Sequence, residues 1–223
     1  MGDAIGQMLA SAVGIAISPL PLIAVILMLA TPKGRANGMA FTAGWVLALA
    51  AVTTVVVLAG SGLDTEASKP DWSYWLKLAL GVLFLLMGAR QWKDRPREGH
   101  VSSPPKWMQA IDRFTPAKAA GLAVALVAAN PKNLVLAVGG AVSIATSTAT
   151  AGGKAVAVVL MVLVGSLCAL LPLGVYVFGG ARSARVLGEW KAWMSAHNSA
   201  VMMVVLVVLG AKYVGDAISG LTA

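Results

Sequence analysis

Asn130-Pro131-Lys132 lies inside an apolar run that reaches from about residue 119 to about residue 147. The run is long enough to cross a bilayer, which takes about 20 predominantly apolar residues. Proline breaks or kinks a helix, because it removes a backbone donor and clashes with the preceding turn. A lysine at mid-depth is costly, so a broken helix that carries one is tolerated only where protein buries it or water reaches it. This pattern is typical of a transport site.

The composition predicts a polytopic membrane protein. Of the 223 residues, 58% are hydrophobic and 12% are charged, whereas soluble domains carry about 25% charged residues. The single cysteine, Cys168, excludes a disulfide within one chain. The net charge of +8 could suggest nucleic-acid binding, but the basic residues flank apolar spans. We therefore interpret them as topology signals and contacts to membrane lipids, and expect no nucleic-acid partner.

Six apolar runs predict six transmembrane helices, and the loop charges predict their orientation. The runs cover about 4–30, 38–60, 73–91, 119–147, 153–179 and 198–219. Twelve basic residues fall on one side: Lys33, Arg35, Arg90, Lys93, Arg95, Arg97, Lys106, Arg113, Lys118, Arg182, Arg185 and Lys191. The other side has four: Lys69, Lys77, Lys154 and Lys212. Positive loops stay inside, so we predict a plasma-membrane protein with both termini outside and a cytoplasmic central linker.

The two halves of the chain show a weak internal repeat. A basic linker, 93–118, separates a first three-helix repeat, 1–92, from a second, 119–223. Ser18-Pro19 matches Asn130-Pro131, Gly44 matches Gly165, and Gly88-Ala89-Arg90 matches Gly210-Ala211-Lys212, in the same order along each half. An odd number of spans per half forces the second half to be inverted. The predicted fold is therefore all-α, with two inverted three-helix repeats whose helices 1 and 4 are broken at proline.

Paired helix breaks in inverted repeats mark the binding sites of many transporters. The first break is Ser18-Pro19-Leu20-Pro21, and the second is Asn130-Pro131-Lys132. The predicted substrate-binding residues are Ser18, Pro19, Pro21, Asn130, Pro131 and Lys132.

With these motifs the sequence resembles the LysE superfamily of exporters, whose members have two three-helix repeats and a proline motif in the first and fourth helices. It is most similar to the actinobacterial GAP or Sap group, through Gly14-Ile15-Ala16-Ile17-Ser18-Pro19, Thr31-Pro32 and the stretch from Gly38 to Trp45. That group is named for addressing peptidoglycolipids and sulfolipids to the cell surface. The resemblance covers nearly the whole chain and implies an exporter of envelope lipids.

Elimination narrows the chemistry of the predicted site. No acidic residue lies deep in a span, and His100 and His197 lie in the linker and at a span end. We therefore expect no metal site, no cofactor and no enzymatic activity. Lys132 would receive an anionic group, helped by free amides at the start of the half-helix after Pro131. The alternative is that Lys132 extends toward the cytoplasmic headgroups.

The leading hypothesis is an exporter or flippase for an anionic or amphiphilic envelope lipid or its precursor. A small-solute exporter of the same fold, for amino acids or metabolites, would use the same site. A third hypothesis is an accessory membrane scaffold that binds an envelope-biosynthesis partner. A membrane-embedded lipid enzyme is disfavoured by the missing carboxylates and histidines. Exposed small-residue faces would permit a homodimer.

Overall fold

The computed structural model describes residues 2–61, 71–93 and 111–222, and no β-strand occurs in these ranges. The central linker predicted at 93–118 lies largely outside them. The helices are α1 (Gly2–Ala16), α2 (Pro19–Leu29), α3 (Gly34–Gly60), α4 (Asp71–Lys93), α5 (Pro116–Ala128), α6 (Pro131–Ala145), α7 (Ala151–Gly165), α8 (Leu167–Phe178) and α9 (Ser183–Leu221). Short 3₁₀ turns occur at Ile111–Arg113 and Gly180–Arg182.

The helices are long and apolar enough for a membrane. By length and composition, α3 and α9 can each cross one, and up to five spans result if each bent helix pair counts as a single span among the described residues. In α4 the apolar part is shorter, Leu78–Trp92. Large apolar side chains such as Leu58 and Phe178, 71% and 88% exposed, would face lipid. The chain is thus an all-helical protein with several candidate membrane helices, and the arrangement of six spans stays a prediction.

Two of the bent pairs fall at the prolines that the sequence singles out. The axes of α1 and α2 differ by 43°, and those of α5 and α6 by 67°. Pro19 and Pro131 each occupy the first turn of the second helix in the pair. Proline suits that position, because its fixed φ is already helical and its missing N–H would have no helical partner there.

The break between α7 and α8 was not predicted from the sequence. The axes of α7 and α8 differ by 60°, and Ser166 lies at the break. Pro172 does not lie at this break but further along, inside α8. Gly165-Ser166 is a glycine–serine pair, which is one of the few common causes of a sharp helix kink.

The contacts divide the helices into two compact units. The first contains Met1–Leu63 and Pro104–Met194, and the second contains Asp64–Ser103 and Ser195–Ala223. Each unit takes residues from both sequence halves. The two units therefore divide the chain differently from the two predicted repeats. The repeats remain a prediction.

In the first unit α3 is the central helix. It packs most extensively against α5 and also contacts α2, α6, α7 and α8. Phe41, Trp45 and Leu49 of α3 are completely buried, and the two aromatic rings stack with their centroids 6.3 Å apart. A Cβ atom on Gly44 would lie 2.8 Å from the Ala120 carbonyl oxygen. Glycine at this position therefore allows the close approach of α3 and α5.

The second unit contains α4 and the part of α9 that follows Met194. Phe84 and Tyr213 pack edge to face with centroids 5.9 Å apart. Gly81 and Gly210 each bring one helix close to the backbone of the other, as is usual where membrane helices pack through small residues. Lys212 and Asp216 form an exposed ion pair at 2.7 Å.

The stretch predicted as a loop between the fifth and sixth spans is helical instead. Residues 183–221 form one continuous helix, α9. Its basic residues favoured a loop interpretation, but no proline occurs between 183 and 221, and a helix continues where nothing breaks it. Charge placement predicts the side of the membrane, whereas helix ends depend on breakers and caps.

Candidate functional site

Ser18 connects α1 to α2 in an extended conformation, with φ −78° and ψ 116°. The residue before a proline is pushed into this region by the proline ring. The Ser18 side chain makes no capping hydrogen bond to α2, so its hydroxyl group can bond to another helix. Pro19 and Pro21 follow it and are both buried.

Asn130 occupies the equivalent position before α6, with φ −82° and ψ 111°. Its side-chain oxygen accepts a hydrogen bond of 3.1 Å from the backbone N–H of Lys132. Asn130 is therefore an ordinary N-cap of the type that stabilises helix starts. Pro131, which follows it, is exposed.

The two breaks meet through a chain of three hydrogen bonds. The Lys132 ammonium group donates to the Ser18 hydroxyl oxygen at 2.7 Å. The Ser18 hydroxyl donates in turn to the side-chain oxygen of Asn133 at 2.8 Å. The Asn133 amide nitrogen then donates to the Leu126 carbonyl in α5 at 3.0 Å. These three hydrogen bonds connect α5 to α6 across the break between them. They also connect both helices to the break between α1 and α2.

All three side chains of this polar cluster, Ser18, Lys132 and Asn133, are buried, with 3%, 2% and 1% of their surface exposed. Lys132 thus points into the protein and not toward headgroups. Among the described residues no carboxylate lies within ion-pair distance of Lys132. A buried charge without a counter-charge is expensive.

The main chain at the breaks offers fewer free N–H groups than the sequence suggested. In α6, Pro131 has no N–H, and that of Lys132 is bonded to Asn130. In α2, Pro19 and Pro21 remove two of the first three donors. An anion at this site would therefore be bound chiefly by the Lys132 side chain, with little help from helix-start amides.

Asn133 is the central residue that sequence reasoning missed. It is the only one of the cluster that bonds to two different helices, through Ser18 and Leu126. A signal was present, because an amide directly after Lys132 in an apolar run has few ways to satisfy both its donor and its acceptor. The run Asn130-Pro131-Lys132-Asn133 is the more informative motif.

The third break also lies near the polar cluster. A Cβ atom on Gly165 would lie 3.6 Å from the side chain of Ile15, near the end of α1. The indole nitrogen of Trp45 donates to the Gly165 carbonyl at 3.3 Å, at the last residue of α7. The buried Ser166 hydroxyl has no hydrogen-bond partner in the described part of the chain. The break between α7 and α8 therefore packs against α3 and against the end of α1, which leads into the first break.

Other polar side chains lie along α3. Asn37 is buried and donates to the Phe114 carbonyl at 3.0 Å. Thr42 and Thr53, which could line a path, are buried and their hydroxyl groups have no partner among the described residues. Within the same ranges no three His, Cys, Asp or Glu side chains are grouped as metal ligands would be.

Comparison with known proteins identifies a family. A family model described as SfLAP: Sap, sulfolipid-1-addressing protein matches residues 8–219. No curated protein and no solved structure matches the chain. The matched region includes all three helix breaks and the whole polar cluster.

Proposed function

The chain belongs to the Sap, sulfolipid-1-addressing protein family, and we propose that it exports an anionic or amphiphilic envelope lipid, or its precursor, across the plasma membrane. The family match covers nearly the entire chain, and the apolar helices suit a membrane protein. Both features support a role in moving envelope lipids. The substrate-binding residues of the proposal are Ser18, Asn130 and Lys132, with Pro19, Pro21 and Pro131 forming the breaks.

The observation that carries the proposal is the buried charge of Lys132, which has no carboxylate partner within the described ranges. An ammonium group has three donors, and one of them has a described acceptor, Ser18. A sulfate, phosphate or carboxylate oxygen of a lipid head group would accept the others and neutralise the charge. Charged groups inside membrane segments generally serve such a function, because their burial is too costly to be kept otherwise.

The hydrogen-bond chain suggests how binding would be coupled to movement. An anionic head group bound to the other two donors would draw the Lys132 ammonium group away from Ser18 and so release the bond between the two broken helices. The breaks at Ser18 and Asn130 would then act as hinges. The proposed cycle is alternating access by two inverted three-helix repeats, as in the LysE superfamily, with the central linker in the cytoplasm and both termini outside.

The test is a comparison of surface-exposed envelope lipids in the bacterium that carries this chain. A deletion strain is complemented with the wild type, with Lys132→Met, or with Lys118→Gln. Lys118 is an exposed lysine near the start of α5 and is the matched control. We expect deletion to remove one lipid from the surface while the cells retain it inside, and we expect the wild type and Lys118→Gln, but not Lys132→Met, to restore it.

Two outcomes would point to the competing hypotheses. An unchanged surface lipid profile, together with accumulation of an amino acid or metabolite inside the deletion strain, would favour a small-solute exporter. Full restoration by Lys132→Met would favour an accessory scaffold, because a scaffold that recruits an envelope-biosynthesis enzyme does not need a charge at its centre.

A further inference from the structure

A groove on the first unit lies between the end of α3 and the start of α7. It encloses about 500 Å³, within the usual range for sites that bind small molecules. Leu58 and Val159 line the groove and are themselves largely exposed. The groove is therefore open at its side, as an acyl chain entering from a bilayer requires.

One end of the groove carries a positive charge. Lys154 lines it, and its ammonium group donates to the Ala145 carbonyl at 2.6 Å and to the Ser61 hydroxyl at 3.5 Å. Ala145 is the last residue of α6, so the negative end of that helix holds the ammonium group in place. Within the described ranges Lys154 has no carboxylate partner, which leaves its charge available to an anion.

The apolar walls of the groove and the positive charge of Lys154 together match an anionic amphiphile. The remaining lining residues are small or aliphatic, among them Val57, Ala155 and Val158. They offer apolar surface to a hydrocarbon chain and few hydrogen bonds to a polar molecule. We propose that this groove binds one acyl chain of an anionic amphiphile, with the anionic head group on Lys154 and Ser61.

The ligand class of this second site rests on the proposed function. The site shares no residue with the polar cluster. By the charge distribution of the loops, Lys154 belongs to the outer side of the membrane. The groove would therefore hold the exported lipid after it leaves Lys132 and before it enters the outer leaflet.

The test uses a palmitic acid analogue with a photoreactive diazirine in mid-chain, and the methyl ester of the same analogue as its neutral counterpart. Each is irradiated with the purified full-length protein in a non-ionic detergent, with or without excess palmitic acid. Labelled peptides are identified by mass spectrometry. We expect the acid to label the segments 54–61 and 149–159, and we expect excess palmitic acid to reduce this labelling. The ester is expected to label both segments weakly.

Variants separate the charge from the groove. Lys154→Gln keeps a polar side chain and removes the charge, so labelling by the acid is expected to fall about fivefold or more, in line with loss of a charge-assisted hydrogen bond. Lys154→Arg is expected to retain it. Ala155→Trp fills the groove and is expected to abolish specific labelling. Lys212→Gln, at a lysine already paired with Asp216, is the matched control and is expected to behave as wild type.

Equal labelling by the acid and the ester in the wild type would overturn the proposal, and this comparison needs no variant to fold. Unchanged labelling of Lys154→Gln would overturn it as well. Neither result bears on export through Lys132, which the surface lipid profile decides. Conversely, an unchanged surface lipid profile in the deletion strain would reject export and leave the binding measurement valid.

Discussion

The Lys132 ammonium nitrogen lies 2.7 Å from the Ser18 hydroxyl oxygen, although 114 positions separate the two residues in the chain. Each residue lies at a helix break that a proline creates, and each is almost completely buried. A single hydrogen bond therefore connects the two features that the sequence marks as unusual.

Replacing Lys132 by methionine is expected to abolish export without weakening the fold. Methionine has a similar length, and exchanging a buried charge for an apolar side chain is often neutral or stabilising by about 1–4 kcal/mol. Ser18 would still donate to Asn133. The measurement is the midpoint of thermal unfolding in detergent beside the surface lipid profile. A large drop in the midpoint would show that the charge has a structural role instead.

Asn133→Leu is expected to lower the free energy of unfolding by about 1–3 kcal/mol, because the Ser18 O–H loses its acceptor and the part-buried Leu126 carbonyl loses its donor. Leucine has a similar size, so little of the loss would come from packing. Chemical unfolding in mixed micelles measures the change. Asn133→Gln is the companion variant, and an equal stability for Asn133→Leu and the wild type would contradict the expectation.

Asn130→Ala is expected to cost about 0.5–2 kcal/mol, because it removes the N-cap of α6. Asn130→Ser restores a side-chain oxygen at the same position and is expected to recover most of the loss. Thermal unfolding of the three proteins under identical conditions provides the comparison. If alanine and serine behave alike, the capping bond does not contribute to stability.

Trp45→Phe keeps a large ring against Phe41 and removes the hydrogen bond to the Gly165 carbonyl. We expect faster amide hydrogen exchange in the segment 165–169, because the break between α7 and α8 loses a contact that fixes it. The segment 36–40, at the other end of α3, is the internal reference. Unchanged exchange in both segments would show that the bond does not restrain the break.

Gly44→Val is expected to destabilise the first unit, since a Cβ there would lie 2.8 Å from the Ala120 carbonyl oxygen and the helix backbones cannot move apart without loss of packing. Gly121→Ala is the control on the facing helix, because its added Cβ meets nothing within 4 Å. We expect the control to keep the wild-type unfolding midpoint. A stable Gly44→Val protein would indicate that α3 and α5 pack less closely than described.

The sequence predicted the breaks at Ser18 and Asn130 because proline acts locally: it fixes its own φ and restricts the residue before it, whatever the rest of the fold does. The break at Ser166 depends on tertiary structure. Glycine and serine are ordinary in membrane helices, and the bend there is accompanied by the bond from Trp45, which is 120 positions away.

The residues of the candidate site also divide into those that the local sequence predicts and those that depend on tertiary contacts. Lys132 was predictable because the local sequence alone shows a charged side chain within an apolar run, where its burial is costly. Asn133 gains its role from Ser18 and Leu126, and neither contact can be read from a single segment. The groove at Lys154 was not predicted for a similar reason, since its walls come from α3 and α7, and most of its lining residues are apolar and carry no distinctive pattern.

The separation of Ser18 from Lys132 also constrains how the protein is made. Ribosomes add about 5–20 residues per second, so roughly 6–23 seconds pass between synthesis of the first residue and the second. During that interval the Ser18 hydroxyl has neither of its final partners, because Asn133 follows Lys132 directly. We therefore expect the break at Ser18 to reach its final hydrogen bonding only after the second break has been synthesised.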